Sequence, residues 1–356
     1  MKRIIRGVLR GLIALAGFAS TLVHASYEEA FAAIQQKDYA KAVPLLNAAA
    51  EKNDPRAFNA LGILHLQGFG VSKDERAAVQ WLERAANAGN LNAMNGLASL
   101  YSRGTADTPK NLPMAREWTW KASLANDANA QFNYAQMAAV NELSKLDAAG
   151  RISKEKYMAL ARRTMAEREL DQKAYTMLSR SAEQGHFGAM LVAMGVMNDN
   201  VGPNNVQRSL DLIAKLPMSR LPPNIVKMVE ASKASNTFLK SLGQTYVTGS
   251  VFKDTFVTAL LSAYVKANVQ PATCDAKNVR VVKASITREL NQPTFLPVEA
   301  ALLKDVVLVR GDWQETWVID VCGTAVEVPL EFQADGGGGV YFQTQQKMNS
   351  GGASEG

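Results

Sequence analysis

The chain has 356 residues, 39 Lys and Arg against 33 Asp and Glu, three histidines and two cysteines. Four of the basic residues, Lys2, Arg3, Arg6 and Arg10, stand at the amino terminus, and without them the formal charge falls from +6 to +2. The basicity is therefore local and predicts no nucleic-acid partner. The histidine and cysteine content leaves little material for a metal site or a Cys-x-x-Cys redox unit.

The elements begin with a leader. The four basic residues precede an apolar run from Gly11 to Phe18, and Val23-His24-Ala25 places small residues where a signal peptidase cuts, so cleavage before Ser26 is expected. The alternative is a retained anchor, but the apolar core is about half of the ~20 residues that a spanning helix needs. No cysteine follows the run to carry a lipid. These features predict a periplasmic or secreted protein with no stable membrane span after cleavage.

Ser26–Gln36 reads as a helix with a capping start, Ser26 followed by Glu29. Tyr39–Lys52 is its partner, with Ala42, Leu45, Leu46, Ala49 and Ala50 on one face. Asp54-Pro55 opens the next helix, which ends at Gly68-Phe69-Gly70, and a helix over Glu75–Ala88 stops at Gly89. The pair then repeats. Ala57-Phe-Asn59-Ala-Leu61-Gly62 returns 36 residues later as Ala93-Met-Asn95-Gly-Leu97-Ala98. Ala78, Trp81 and Ala85 return 37 residues later as Ala115, Trp118 and Ala122. A period in the mid-thirties, rich in alanine, marks stacked helix pairs. The alanines allow close helix approach, Gly62 does so where the next helix crosses, and Trp81 and Leu82 add apolar area.

The pattern Ala57-x3-Leu61-Gly62-x2-His65-x2-Gly68-x-Gly70-Val71-x2-Asp74-x3-Ala78-x2-Trp81-x3-Ala85-Ala86-x2-Gly89 resembles a Sel1-like repeat, a relative of the tetratricopeptide repeat. The resemblance is strong over 54–90, recognisable over 91–127 and weaker over 26–53, with a half-match at Ala174, Ser181-Ala182, Gly185 and Ala189. Residues 141–169 depart from it as a charged helical insertion. The resemblance implies a mainly α fold: an α-solenoid of antiparallel helix pairs over 26–216 whose role is protein binding. Some exported members of the family are linked to β-lactam binding, though those carry cysteines inside their repeats.

Asn205–Leu216 closes the array, and helices over Ile225–Leu242 and Phe252–Ala267, within 217–270, cap its last apolar face. After Gln270-Pro271 the signal is β: strands at Val279–Ile286, Asp305–Arg310, Glu315–Val321 and Ala325–Phe332, a glycine turn, and Val340–Gln343. This gives a small antiparallel β domain over 271–345 and a polar, disordered tail over 346–356. Cys274 and Cys322 are 48 residues apart, and in an oxidising compartment they read as one disulfide closing that domain.

Chemistry is hard to place on this chain. His65 reads as a partly buried core histidine or, less simply, a ligand or base. His186, after Gly185, reads as a cation at a helix end. No phosphate loop, His-Glu-x-x-His or Gly-x-Ser-x-Gly is present in the sequence. No enzyme and no cofactor are therefore expected. In the tetratricopeptide register Asn59 and Asn95 point into a groove. Arg56 and Asn92 stand one turn earlier, Ser99 and Arg103 continue the line, and Gln136 extends it. Stacked asparagines suit a peptide backbone, and the arginines suit a carboxylate. The alternative is that this line only solvates a helix surface. The expected function is a non-enzymatic scaffold or regulator of the bacterial envelope that binds protein or peptide segments. The alternatives are a cell-wall enzyme or β-lactam-binding protein, and a secreted effector that binds a host protein.

Overall fold

The structure, a computed structural model, describes residues 27–143, 165–270, 273–335 and 340–344. The leader, most of the charged insertion and the tail lie outside the described residues. The chain divides into two compact units, Met1–Tyr134 and Ala135–Gly356.

The first unit contains α1 (27–35), α2 (Tyr39–Glu51), α3 (Pro55–Gln67), α4 (Glu75–Asn87), α5 (Leu91–Arg103) and α6 (Leu112–Leu124). The unit boundary falls within α7 (Ala128–Leu143). Each helix from α2 to α6 starts on an Asp or Asn whose side chain accepts a backbone N–H of the first turn, at Asp38, Asp54, Asp74, Asn90 and Asn111. Asp127 does the same for Ala130 at the start of α7. These carboxylates and amides fill donors that the helix itself leaves open, so the repeat period is written as a period of caps.

The core is layered from alanine and leucine. Leu46, Leu61, Leu82 and Leu97 are fully buried among Ala49, Ala57, Ala85 and Ala93. A Cβ on Gly62 would lie 2.7 Å from Leu82 Cγ of α4, so here only glycine admits the neighbouring helix. The equivalent Gly96 meets nothing closer than 3.9 Å.

The second unit contains α8 (Met165–Glu183), α9 (Phe187–Asp199), α10 (Asn205–Ala214), α11 (Pro223–Ser241) and α12 (Gly249–Ala267). They are followed by a sheet of β1 (Val279–Phe295), β2 (Leu308–Val321), β3 (Thr324–Ala334) and β4 (Val340–Thr344), antiparallel in the order β1-β2-β3-β4. One core joins helices and sheet. Trp313, Trp317, Ile319, Val328 and Phe332 pack with Leu239, Val251, Ala259 and Ala263 of α11 and α12. Phe252 stacks on Trp317 at 5.0 Å and Trp313 on Phe332 at 4.9 Å. The inner face of the sheet is covered by residues of helices α11 and α12, and the segment between β1 and β2 is tied to α8, where Ser179 Oγ accepts from Leu303 N and Thr176 Oγ1 from Glu299 N.

Cys274 and Cys322 form the disulfide, with Sγ–Sγ 2.04 Å, joining the segment before β1 to the β2–β3 turn. Two other details differ from expectation. The strands expected at 305–310 and 315–321 fall in one strand, β2, which begins only at Leu308. It passes through Gly311 at φ 142°, where a Cβ would meet Leu290 Cδ1 at 2.9 Å. His186 caps the start of α9, its Nδ1 accepting from Ala189 N at 3.1 Å. The side chain expected at a helix end thus serves as an acceptor at a helix start.

Candidate partner-binding face of the repeats

Packing leaves α3 and α5 one stripe each. In α3, residues 57, 58, 60, 61, 62 and 64 are buried, and the remaining face carries Arg56, Asn59 and Ile63. In α5, residues 93, 94, 97, 98 and 100 are buried, and the matching face carries Asn92, Asn95, Ser99 and Arg103. The caps of α5 and α7, Asn90 and Asp127, fix the third register, which puts Phe132 at the position of Asn95 and Gln136 at that of Ser99. Within the first unit, Arg56, Asn59, Asn92, Asn95, Ser99 and Arg103 thus stand on equivalent faces of α3 and α5, while Gln136 belongs to the second unit.

The side chains on that line differ in how far they are committed. Asn59 and Asn95 are half-buried, and among the described residues neither side chain has a hydrogen-bond partner. Asn92, Ser99, Arg103 and Gln136 are exposed, and Arg103 has no ion pair among the described residues. Arg56 is occupied. Its Nη2 donates to Asp54 Oδ2 at 2.8 Å, its Nε to Asp54 Oδ1 at 3.1 Å and its Nη1 to Glu28 Oε1 at 3.0 Å. Its guanidinium also lies 4.2 Å over the ring of Tyr27. The hydrogen bonds to Asp54 hold the Arg56 guanidinium above its ordinary pKa, and burial pushes the Tyr27 hydroxyl up. Arg56 thus braces α1 against α3, and the free fork of donors falls to Arg103. His65 is partly buried, and its Nδ1 has no hydrogen-bond partner among the described residues.

Sequence reasoning missed two features. Ile63, 46% exposed, adds apolar surface to the stripe of α3, and Phe31 of α1, 44% exposed, stacks at 6.2 Å on Tyr27, the ring that carries Arg56. In the second unit, Glu315 is wholly buried and accepts four hydrogen bonds. Strict alternation with Trp313, Trp317 and Ile319 was the signal that could have placed it inside. Beside it, a cleft of about 310 Å3 is lined by Gln207, Lys240, Tyr246 and Glu289 among others. There Tyr246 donates to Glu289, and burial with that carboxylate pushes the phenol up to about 12.

The Sel1 repeat model matches residues 32–54, 55–90, 91–127 and 167–186, so the chain carries Sel1 repeats in both compact units. Among solved structures, a Sel1 repeat protein from Oxalobacter formigenes is similar at 24% identity over 47% of this chain and 43% of that one, with a TM-score of 0.35. A protective antigen present in uropathogenic Escherichia coli strains, displaying an SLR fold, shares 18% identity over 61% of this chain and 49% of its own, TM-score 0.36. An immunity protein from Pseudomonas aeruginosa shares 18% over 60% and 82%, TM-score 0.24. The chain thus spans less than half the length of the first two. No curated protein matches the sequence.

Proposed function

We propose that this Sel1-repeat protein is a non-enzymatic scaffold of the bacterial envelope, and that the first helices of its repeats hold an extended segment of a partner protein. Sel1-repeat proteins are in general protein–protein interaction scaffolds. The observation that carries the reading is the pair Asn59 and Asn95, 36 residues apart at one repeat position, half-buried and without partners among the described residues. Each amide offers one acceptor and two donors, the complement of a peptide group, so a main chain laid across the stripes would be held whatever its side chains.

Export is supported by the leader pattern and by the disulfide, which belongs to an oxidising compartment. Among the described residues no helix is long and apolar enough to cross a membrane.

The test is affinity capture from envelope extract with the wild-type chain and with the Asn59→Ala/Asn95→Ala variant. A specific protein retained by the first and lost by the second, at unchanged helicity, is the expected result. Equal retention by both refutes the face. Turnover or covalent labelling by a β-lactam probe would replace the scaffold reading with a cell-wall enzyme or β-lactam-binding protein.

A further inference from the structure

The face is not uniform from end to end. At the α1 and α3 end, Phe31 and Ile63 stand exposed. The cation of that end, Arg56, is consumed by Asp54 and Glu28, which leaves the trio one negative charge in excess. At the α5 end the exposed positions are polar, and Arg103 in the last turn has no ion pair among the described residues. One end therefore offers apolar surface with a slight negative bias, and the other an unneutralised guanidinium. A ligand lying along the face meets these in order.

From this polarity we infer that the segment held here is an extended peptide carrying a bulky apolar side chain against Phe31 and Ile63 and a carboxylate against Arg103. The inference rests on the reading of the repeat face as the binding surface. The spacing follows from helix geometry. Two steps between neighbouring first helices at ~10 Å each, and two turns along the axis, separate Phe31 from Arg103 by roughly 20–25 Å. At ~3.3 Å per residue this is about six or seven residues of extended chain. The guanidinium suits a carboxylate because its planar fork makes two parallel bonds, whereas an amide offers only one oxygen. The opposite orientation would set an acid near Asp54 and Glu28 and an apolar group beside Arg103, so direction along the face is fixed as well.

The test is selection from a displayed library of random dodecapeptides by the full chain, purified after export, followed by binding of the enriched peptides as labelled synthetic probes. The expected motif is one bulky apolar residue and one acid about six positions apart. Changing that acid to its amide should weaken binding ~10-fold in the wild type and leave affinity unchanged in Arg103→Gln, while Phe31→Ser weakens the same peptides. All four side chains substituted here or in the control are half-buried or exposed, so circular dichroism should report an unaltered fold. Enriched peptides with no acid, or an equal loss on amidation in Arg103→Gln, overturn the inference. If such peptides still lose affinity in Asn59→Ala/Asn95→Ala, the face stands and only its proposed polarity falls. If they bind that variant as tightly as the wild type, or if no peptide is enriched, the face itself falls.

Discussion

Glu315 gives the sharpest stability prediction, because a carboxylate with no ion pair among the described residues stands in the core of the second unit. Its Oε1 accepts from Trp313 Nε1 at 3.0 Å and Tyr246 N at 2.9 Å, and its Oε2 from Trp317 Nε1 at 2.9 Å and Thr245 Oγ1 at 2.8 Å. Thr245 and Tyr246 lie on the connection between α11 and α12, so this side chain ties that connection to β2. Glu315→Ala strands three N–H donors and a hydroxyl. At ~1–3 kcal/mol for each buried donor left unmade, and with relief of a buried charge subtracted, the loss should be about 4 kcal/mol or more. Glu315→Gln keeps one oxygen for two donors. Its amide opposes only the Trp317 N–H, since the Thr245 hydroxyl can turn to accept, so the loss should be nearer 1–2 kcal/mol. The pH dependence has a definite sign. Burial outweighs the four hydrogen bonds and raises the Glu315 pKa, so the native state holds this proton more tightly than the unfolded chain does. The stability from that proton is complete below the unfolded-state value near ~4.3 and is lost as pH rises through the raised native value. Urea titrations followed by tryptophan fluorescence, at a series of pH values, measure both effects. An alanine variant within about 1 kcal/mol of wild type, or a wild type that gains stability relative to Glu315→Gln as pH rises through that window, would refute the reasoning.

Three further outcomes follow from single contacts. Gly62→Ala should destabilise by about 1–3 kcal/mol because its methyl meets Leu82, whereas Gly96→Ala should be neutral or stabilising by up to ~1 kcal/mol; thermal melts of both separate close packing from helix propensity. Replacing Cys274 and Cys322 by serine opens a 48-residue loop and should cost roughly 3–4 kcal/mol, read as a lower urea midpoint, with no further shift on adding reductant. His186→Ala should cost about 1 kcal/mol through loss of the α9 cap, and His186→Asn should restore most of it; equal melts for the two would remove the cap from the account.

The repeats were legible because their signals are local. Asp54-Pro55, Asp74 and Gly89 terminate helices by their own chemistry, and alanine recurs wherever two axes approach. The sheet was legible in kind and misread in length, since Gly311-Asp312 has the composition of a turn but stands within a continuous strand; tertiary contact with Leu290 and Pro293 decides the matter, and no local signal reports it. His186 was assigned to the helix before it because the sequence does not say which of two adjoining helices a residue serves. Glu315 was marked as inward by alternation with its tryptophans, but its partners were not legible. Thr245 and Tyr246, which supply donors to it, stand some seventy residues earlier. The candidate face was readable as a register, but its charge was not. Whether Arg56 or Arg103 is free depends on Asp54 and Glu28, and only the folded chain shows that both belong to Arg56.

The distribution of unmade hydrogen bonds also argues against the sheet as the peptide-binding element. Strand addition needs a long edge with open donors and acceptors. Here β4 is five residues long, and β3 beyond it carries Pro329, which has no N–H, while Lys266 of α12 donates to Glu327 O at 2.9 Å. At the opposite edge Ala284 N donates to Leu242 O at 2.7 Å, and repeated register shifts bend β1 away from a straight template. The repeat face differs in kind. Its helices satisfy their own backbone, so what remains open is a line of side chains, and on the proposed reading the Asn59 and Asn95 amides suit the unpaired main chain of a partner. A segment already in secondary structure has none to bring, which favours an unfolded or extended stretch of the partner over a folded surface.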